Sequence, residues 1–251
     1  LTRNLIVSCF YLLIVNIAVL ILYDIRNTSK FMHIVKDFKK SSIILLLRVS
    51  SYTFLFTLTV TVIMNLPRYF IDFFLNDSDQ AIYGIISMPA TFVMLFSQFI
   101  FQPSLLSLTS FYKRHDKKNF NLTVLKISSV LLGSMIIILP VAYVAGIPVL
   151  ELVYGVELSK YLNYLLLVIL GAAFYAVSNV LLNSLIVIHC NKEQLFVQIT
   201  ILILSVFICY VLINNLGIQG GLFSYFSILL LQFIIYLFLY LYIVNRKFDK
   251  E

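Results

Sequence analysis

The sequence predicts an all-α fold, a polytopic transmembrane helical bundle of about seven spans, and three observations carry that prediction. The 251 residues are 61% hydrophobic and 12% charged, against roughly 45–50% and 25% in soluble domains. Seven stretches of about 20 residues are nearly free of charge, and at 1.5 Å per residue each is long enough for a hydrocarbon core of roughly 30 Å. Runs such as 162–170 and 228–243 are apolar almost without interruption, whereas the strands of a membrane barrel alternate apolar and polar residues. Seven helices use about 150 residues, so no loop is long enough to house a soluble catalytic module.

The predicted spans are 4–23, 42–65, 81–103, 122–145, 162–188, 195–213 and 222–243. The first ends in Asp24-Ile25-Arg26 rather than a small-residue cleavage site, and no basic leader precedes it. It reads as a retained helix, not a signal peptide, and a chain that opens on Leu1 in this way reads as a fragment. The second span is the most polar. Ser50, Thr53, Thr57 and Thr61 fall within about 80° of one another, and Arg48, Tyr52 and Thr59 share a second face within about 40°. The hydroxyl stripe either packs helices closely or lines a polar path. Arg48, roughly 9 Å from the predicted end, either snorkels to headgroups or contacts an anion.

The third span carries Gly84, Ser87, Pro89, Thr91, Ser97, Gln98, Gln102 and Pro103, and the fourth carries Gly133 and Pro140. Each interior proline frees a carbonyl and bends its helix, so both spans are predicted to hinge. Gln98 and Gln102, at i and i+4, share a face. Between these spans, residues 103–120 set Leu105, Leu106, Leu108 and Phe111 against Lys113, Arg114, Lys117 and Lys118, the pattern of a helix lying along the membrane surface. Lys126, about four residues into the fourth span, either snorkels or reaches into the bundle. In the fifth span Tyr175, Ser178, Asn179 and Asn183 cover about 140° of one face, an arrangement suited either to a sugar or headgroup lining or to hydrogen bonds between helices. No site residue is assigned to the sixth or seventh span.

Charge sets the expected orientation. The loops after spans one, three and five and the C-terminal tail hold thirteen of the eighteen Lys and Arg residues, while the other side has Arg3, Arg68 and Lys160. The positive-inside rule places the basic side, and the C-terminus, in the cytoplasm. The formal charge of +7 therefore faces anionic headgroups, and membrane lipid rather than nucleic acid is the expected partner. The first span then starts outside, so an odd number of helices is expected upstream, and five would make twelve.

All eleven acidic residues lie in loops or at span ends, leaving no mid-membrane carboxylate for a proton or cation relay. Cys9, Cys190 and Cys209, and likewise His33, His115 and His189, lack disulfide or metal-ligand spacing. The sequons at Asn27, Asn76 and Asn121 are discounted. The loops hold no paired His and acid and no nucleophile motif, so the sequence predicts no enzyme, cofactor or metal.

One set of motifs points to a family. The run Asn65-Leu66-Pro67-Arg68-Tyr69-Phe70-Ile71-Asp72, followed by Ala81-Ile82-Tyr83-Gly84 and Pro89-Ala90, resembles the polysaccharide-export branch of the multidrug/oligosaccharidyl-lipid/polysaccharide flippase superfamily, the Wzx-type carriers of O-antigen and capsule repeat units. Gln102-Pro103, the basic stretch 113–118, Gly155-Val156-Glu157-Leu158 and Leu216-Gly217-Ile218-Gln219-Gly220-Gly221 follow in the family's order. The resemblance covers about residues 37–243 and implies two six-helix lobes. Residues 1–40 would be the last helix of the N-terminal lobe with the inter-lobe loop, and 41–251 the C-terminal lobe. It also implies alternating access in a bacterial inner membrane, flipping an oligosaccharide linked to undecaprenyl pyrophosphate, with polysaccharide assembly machinery as a further partner. Arg68 and Tyr69 would mark the outer end of the second span, and Arg48 would face a central cavity. Open alternatives are a multidrug or toxin antiporter of the same superfamily, a non-transporting subunit, and an embedded enzyme of polysaccharide assembly.

Overall fold

The structure, a computed structural model, describes residues 5–25 and 40–248, with side chains at residues 7, 10–25, 50–52 and 54–248. Every element among the described residues is helical. The chain divides into two compact units, residues 1–50 and 51–251.

In the first unit, α1 (Leu5–Val19) continues through a π-helical turn, Leu20–Asp24. Apolar residues from Phe10 to Ile25 are exposed, and the Asn16 amide donates to the Leu12 carbonyl at 2.8 Å. Apolar side chains outward with backbone and amide satisfied internally is what a lipid-facing helix requires.

The second unit begins within α2 (Lys40–Phe74) and continues as α3 (Asp77–Phe101), a 3₁₀ turn (Gln102–Ser104), α4 (Leu105–Lys113), α5 (Lys117–Val141), a π turn (Ala142–Gly146), α6 (Ile147–Tyr154), a second 3₁₀ turn (Ser159–Tyr161), α7 (Leu162–Val187) and α8 (Asn191–Phe248). Five helical stretches are long and apolar enough to cross a membrane: Ser50–Phe74, Asp77–Lys113, Lys117–Tyr154, Ser159–Val187 and Asn191–Phe248. The last comprises the predicted sixth and seventh spans. Gly217 (φ +57°, ψ −135°) turns the chain in a region open to glycine and strained for any residue with a Cβ. The Tyr236 hydroxyl donates to Gln198 Oε1 at 2.7 Å, and the Cys209 thiol approaches Ser224 Oγ at 3.8 Å. Each pair lies about equally far before and after Gly217, so the two arms of α8 run antiparallel, side by side.

Helix α7 is the hub. It packs against α3, α5 and α8, and most of its residues are buried. Small residues permit this, for a Cβ at Gly171 would stand 3.3 Å from the Phe226 backbone. Ring and hydrogen-bond contacts define two ends of the unit. At one, Phe74 meets Tyr210, and the Tyr164 hydroxyl donates to Gln219 at 3.0 Å. At the other, Tyr112 meets His189, Phe120 meets Phe248, and the Tyr240 hydroxyl donates to Asn121 at 2.7 Å. The turns at 114–116 and 188–190 and residues 246–248 thus share an end, which gathers Lys113, Arg114, Lys117, Lys118, Lys192, Arg246 and Lys247, as the loop arithmetic groups them.

Several expected boundaries are corrected. The predicted loop 66–80 shrinks to Leu75–Asn76, because α2 runs through Pro67 to Phe74 and the Asn76 side chain caps α3 by accepting from the Asp79 N–H at 2.9 Å. Asn65 to Tyr69 therefore lie inside a helix rather than at its end. The predicted loop 146–161 shrinks to 155–158, the π turn following Pro140 and α6 carrying the helix onward. The surface helix expected over 103–120 is α4 plus the first turn of α5, joined at 114–116. Interior prolines fail to stop these helices because neighbouring helices and local π adjustments accommodate the freed backbone groups.

Asp116 caps α5, accepting from the Asn119 N–H at 3.0 Å and its amide at 2.6 Å. These bonds hold its carboxyl below the usual carboxylate value. A depressed folded pKa stabilises above the unfolded value of about 3.9, and that contribution is lost as pH falls through the folded one. Hydrogen exchange of amides 117–121 is expected to lose protection in acid for the wild type. Asp116→Ala should already be less protected at neutral pH and lack that acid step.

Candidate functional site

The second unit has two polar surfaces. The first is on α7. Tyr175, Asn179 and Asn183, at i, i+4 and i+8, are half-buried on a helix whose adjacent residues Ala176, Val177, Ser178, Val180 and Leu181 are buried. The spacing makes one stripe. The Asn183 amide donates to the Asn179 carbonyl at 2.7 Å and to its Oδ1 at 3.0 Å, and Ser178 turns inward to bond Phe174 at 2.9 Å. The expected face therefore splits: Tyr175, Asn179 and Asn183 stay partly exposed and Ser178 is buried.

The second is a cleft of about 700 Å³ between the Gly217-end part of α2, one face of α3, Tyr154 of α6 and Tyr225 of α8. Asn65 and Arg68 face it from α2, and Asp77, Gln80, Tyr83, Gly84, Ser87 and Thr91 from α3. Five residues of the family-like motifs, Asn65, Arg68, Ala81, Tyr83 and Gly84, thus meet at one place. Tyr83 is buried and stands edge-on to Tyr225, with ring centroids 6.5 Å apart. Asn65 Nδ2 donates to the Thr61 carbonyl at 2.9 Å, Gln80 Nε2 to Asp72 at 3.1 Å, and the Tyr154 hydroxyl to Met88 sulfur at 2.7 Å. Among the described residues, Arg68 and Asp77 form no ion pair with each other or with any other residue.

The remaining expected site residues scatter. The Arg48 side chain lies outside the described residues. Tyr52 sits under Lys192, whose Nζ is 5.9 Å from the ring centroid. Thr59 is buried and donates to the Leu55 carbonyl at 2.7 Å, which is a packing role. Tyr69, Gln98, Gln102 and Lys126 are exposed and border neither surface. Helix α5 starts at Lys117, so Lys126 lies nine residues along it rather than four.

Sequence reasoning missed Asp77, Gln80, Tyr154 and Tyr225 in the cleft. It began the third span at 81, which removed the first turn of α3 from view, although Asp77, Gly84 and Thr91 already mark a heptad stripe. It also missed the buried glutamines of α8. Gln194 donates to the Leu182 carbonyl at 3.0 Å, while Gln198 Nε2, Gln232 Nε2 and Ser205 Oγ are buried without a hydrogen-bond partner. A second cavity, about 810 Å³ and apolar, lies among α3, α5, the π turn, α6 and α7, with Pro89, Phe92, Met135 and Ile169 in its walls.

Cys190 and Cys209 are buried thiols, and burial pushes the Cys190 thiol up, away from nucleophilic use. Among the described residues no three His, Cys, Asp or Glu side chains cluster as metal ligands would. The chain matches no family model, no curated protein and no solved structure.

Proposed function

We propose that the chain is the C-terminal six-helix lobe, with the last helix of the N-terminal lobe, of a two-lobed membrane carrier. Its cargo is an oligosaccharide on a polyprenyl pyrophosphate, such as a capsule or O-antigen repeat unit, moved across a bacterial inner membrane by alternating access. In this reading the chain crosses the membrane seven times, the two arms of α8 counting separately, with the basic end in the cytoplasm. The observation that supports it best is the partly exposed polar stripe Tyr175–Asn179–Asn183 on the hub helix. Polar groups at membrane depth are costly and face a bundle interior or an aqueous cavity, and amide and phenol groups suit sugar hydroxyls. The hinge-forming features of α3 and α5, Pro89, Pro140 and the π turn, suit a bundle that must flex.

The test is translocation by the full-length protein in proteoliposomes loaded with lipid-linked oligosaccharide. An impermeant glycosidase should reach more of the glycan than the outer-leaflet share it reaches in protein-free vesicles. Equal accessibility with and without correctly inserted protein would reject the carrier reading.

A further inference from the structure

The cleft holds polar groups that the fold itself does not use. The Tyr83 hydroxyl makes no hydrogen bond among the described residues, and the Arg68 guanidinium and Asp77 carboxylate, both in the walls, are not paired with each other. Asn65 and Gln80 each use an N–H within the protein, which leaves their side-chain oxygens to accept. Pro89 supplies no N–H to the Ile85 carbonyl, and Ile85 is a wall residue.

The free groups are thus mixed: the Arg68 guanidinium, the Tyr83 hydroxyl and the second amide N–H of Asn65 and of Gln80 can donate, while the Asp77 carboxylate, the two amide oxygens and the Ile85 carbonyl can accept. A phosphate offers acceptors only and would meet Asp77. An ammonium would meet Arg68. A neutral polyol fits both: its hydroxyls accept from guanidinium while donating to carboxylate, amide and carbonyl oxygens. The rings of Tyr83, Tyr154 and Tyr225 add apolar surface for the C–H face of a sugar. The volume, about 700 Å³, lies in the roughly 300–1,000 Å³ range of small-molecule sites.

We propose that this cleft binds an uncharged glycosyl unit, and not the phosphate part of an amphiphile. The proposal rests on the carrier reading for the source of the sugar and on the cleft alone for its chemistry.

Gly84 supplies the test. It sits mid-stripe on the α3 wall, and a Cβ there would meet no atom within 4 Å. Gly84→Leu therefore fills the cleft while improving helix propensity. The 251 residues contain no tryptophan, so Tyr154→Trp places one indole in this part of the chain, in the cleft wall. Full-length Tyr154→Trp protein is titrated in detergent with oligosaccharide released by mild acid from the cell's lipid-linked pool and dephosphorylated, and separately with inorganic pyrophosphate. The expected result is a saturable emission change with the sugar, none with pyrophosphate, and an apparent affinity at least tenfold weaker when Gly84→Leu is added. Thermal melting checks that Gly84→Leu is as stable as its parent. No saturable change, the same change after Gly84→Leu, or a response to pyrophosphate would each overturn the proposal. Translocation without sugar binding would defeat the cleft alone, and binding without translocation would defeat the carrier alone.

Discussion

Gly220→Ala is expected to be the most destabilising addition of a single methyl group in the chain. A Cβ at position 220 would lie 2.5 Å from the Leu212 carbonyl carbon, closer still to its oxygen, and 3.0 Å from the Ile213 nitrogen. These are backbone atoms of the opposing arm of α8, so no rotamer change relieves the contact, and the arms must separate. Overpacking costs about 1–3 kcal/mol and sometimes more, and a backbone clash belongs at the upper end, about 3 kcal/mol. Gly221→Ala should cost less, because its Cβ meets the Cδ1 end of Ile71 at 2.5 Å, which can swing away. Gly84→Ala, in open space, should stabilise by up to about 1 kcal/mol through helix propensity. Thermal melting of the three variants reads the order directly. Gly220→Ala as stable as Gly84→Ala would mean that the arms do not lie against each other at this point.

Replacing both amides of the α7 stripe, Asn179→Leu with Asn183→Leu, is expected to lower translocation at least tenfold, equivalent to about 1.4 kcal/mol of lost transition-state stabilisation, with membrane insertion unimpaired. Leucine is more favourable than asparagine in a spanning helix, and the hydrogen bonds removed are local to the stripe, Asn183 to Asn179. The loss should therefore appear in transport and not in the amount of inserted protein. Ser178→Ala is the comparison: its hydroxyl is buried and bonded to the Phe174 carbonyl at 2.9 Å, so transport should change little. Wild-type transport in the double variant would make the stripe a packing feature and withdraw the support on which the carrier reading leans.

Both predictions depend on features that the sequence displays unequally. Asn179 and Asn183 were legible because two amides at i, i+4 stand out against an apolar run. Their exposure was not, since Ser178 shares the same predicted face and is buried. Gly220 stands in the sequence only as part of a motif, and nothing local distinguishes it from Gly221, which meets a movable side chain instead of a backbone. The motif around Arg68 reads as a helix end; in the folded chain Arg68 lies inside α2, in the same cleft as Asp77 and Tyr83. The buried glutamines 198 and 232 escaped notice because each is isolated along the chain and acquires meaning only when the arms of α8 are brought together.

By itself the sequence determined that the chain is helical, apolar enough for a membrane, and basic in one set of turns, because hydropathy and charge are properties of each residue that add along the chain. Tertiary structure decided where helices end, that Gly217 folds α8 on itself, and which residues of α2, α3, α6 and α8 share a cleft. The reason lies in the apolar composition. A helix between water and a core shows its inward face by amphipathicity, but α7 and α8 are apolar on nearly every side, so only the contacts themselves separate the face that packs from the face that stays open.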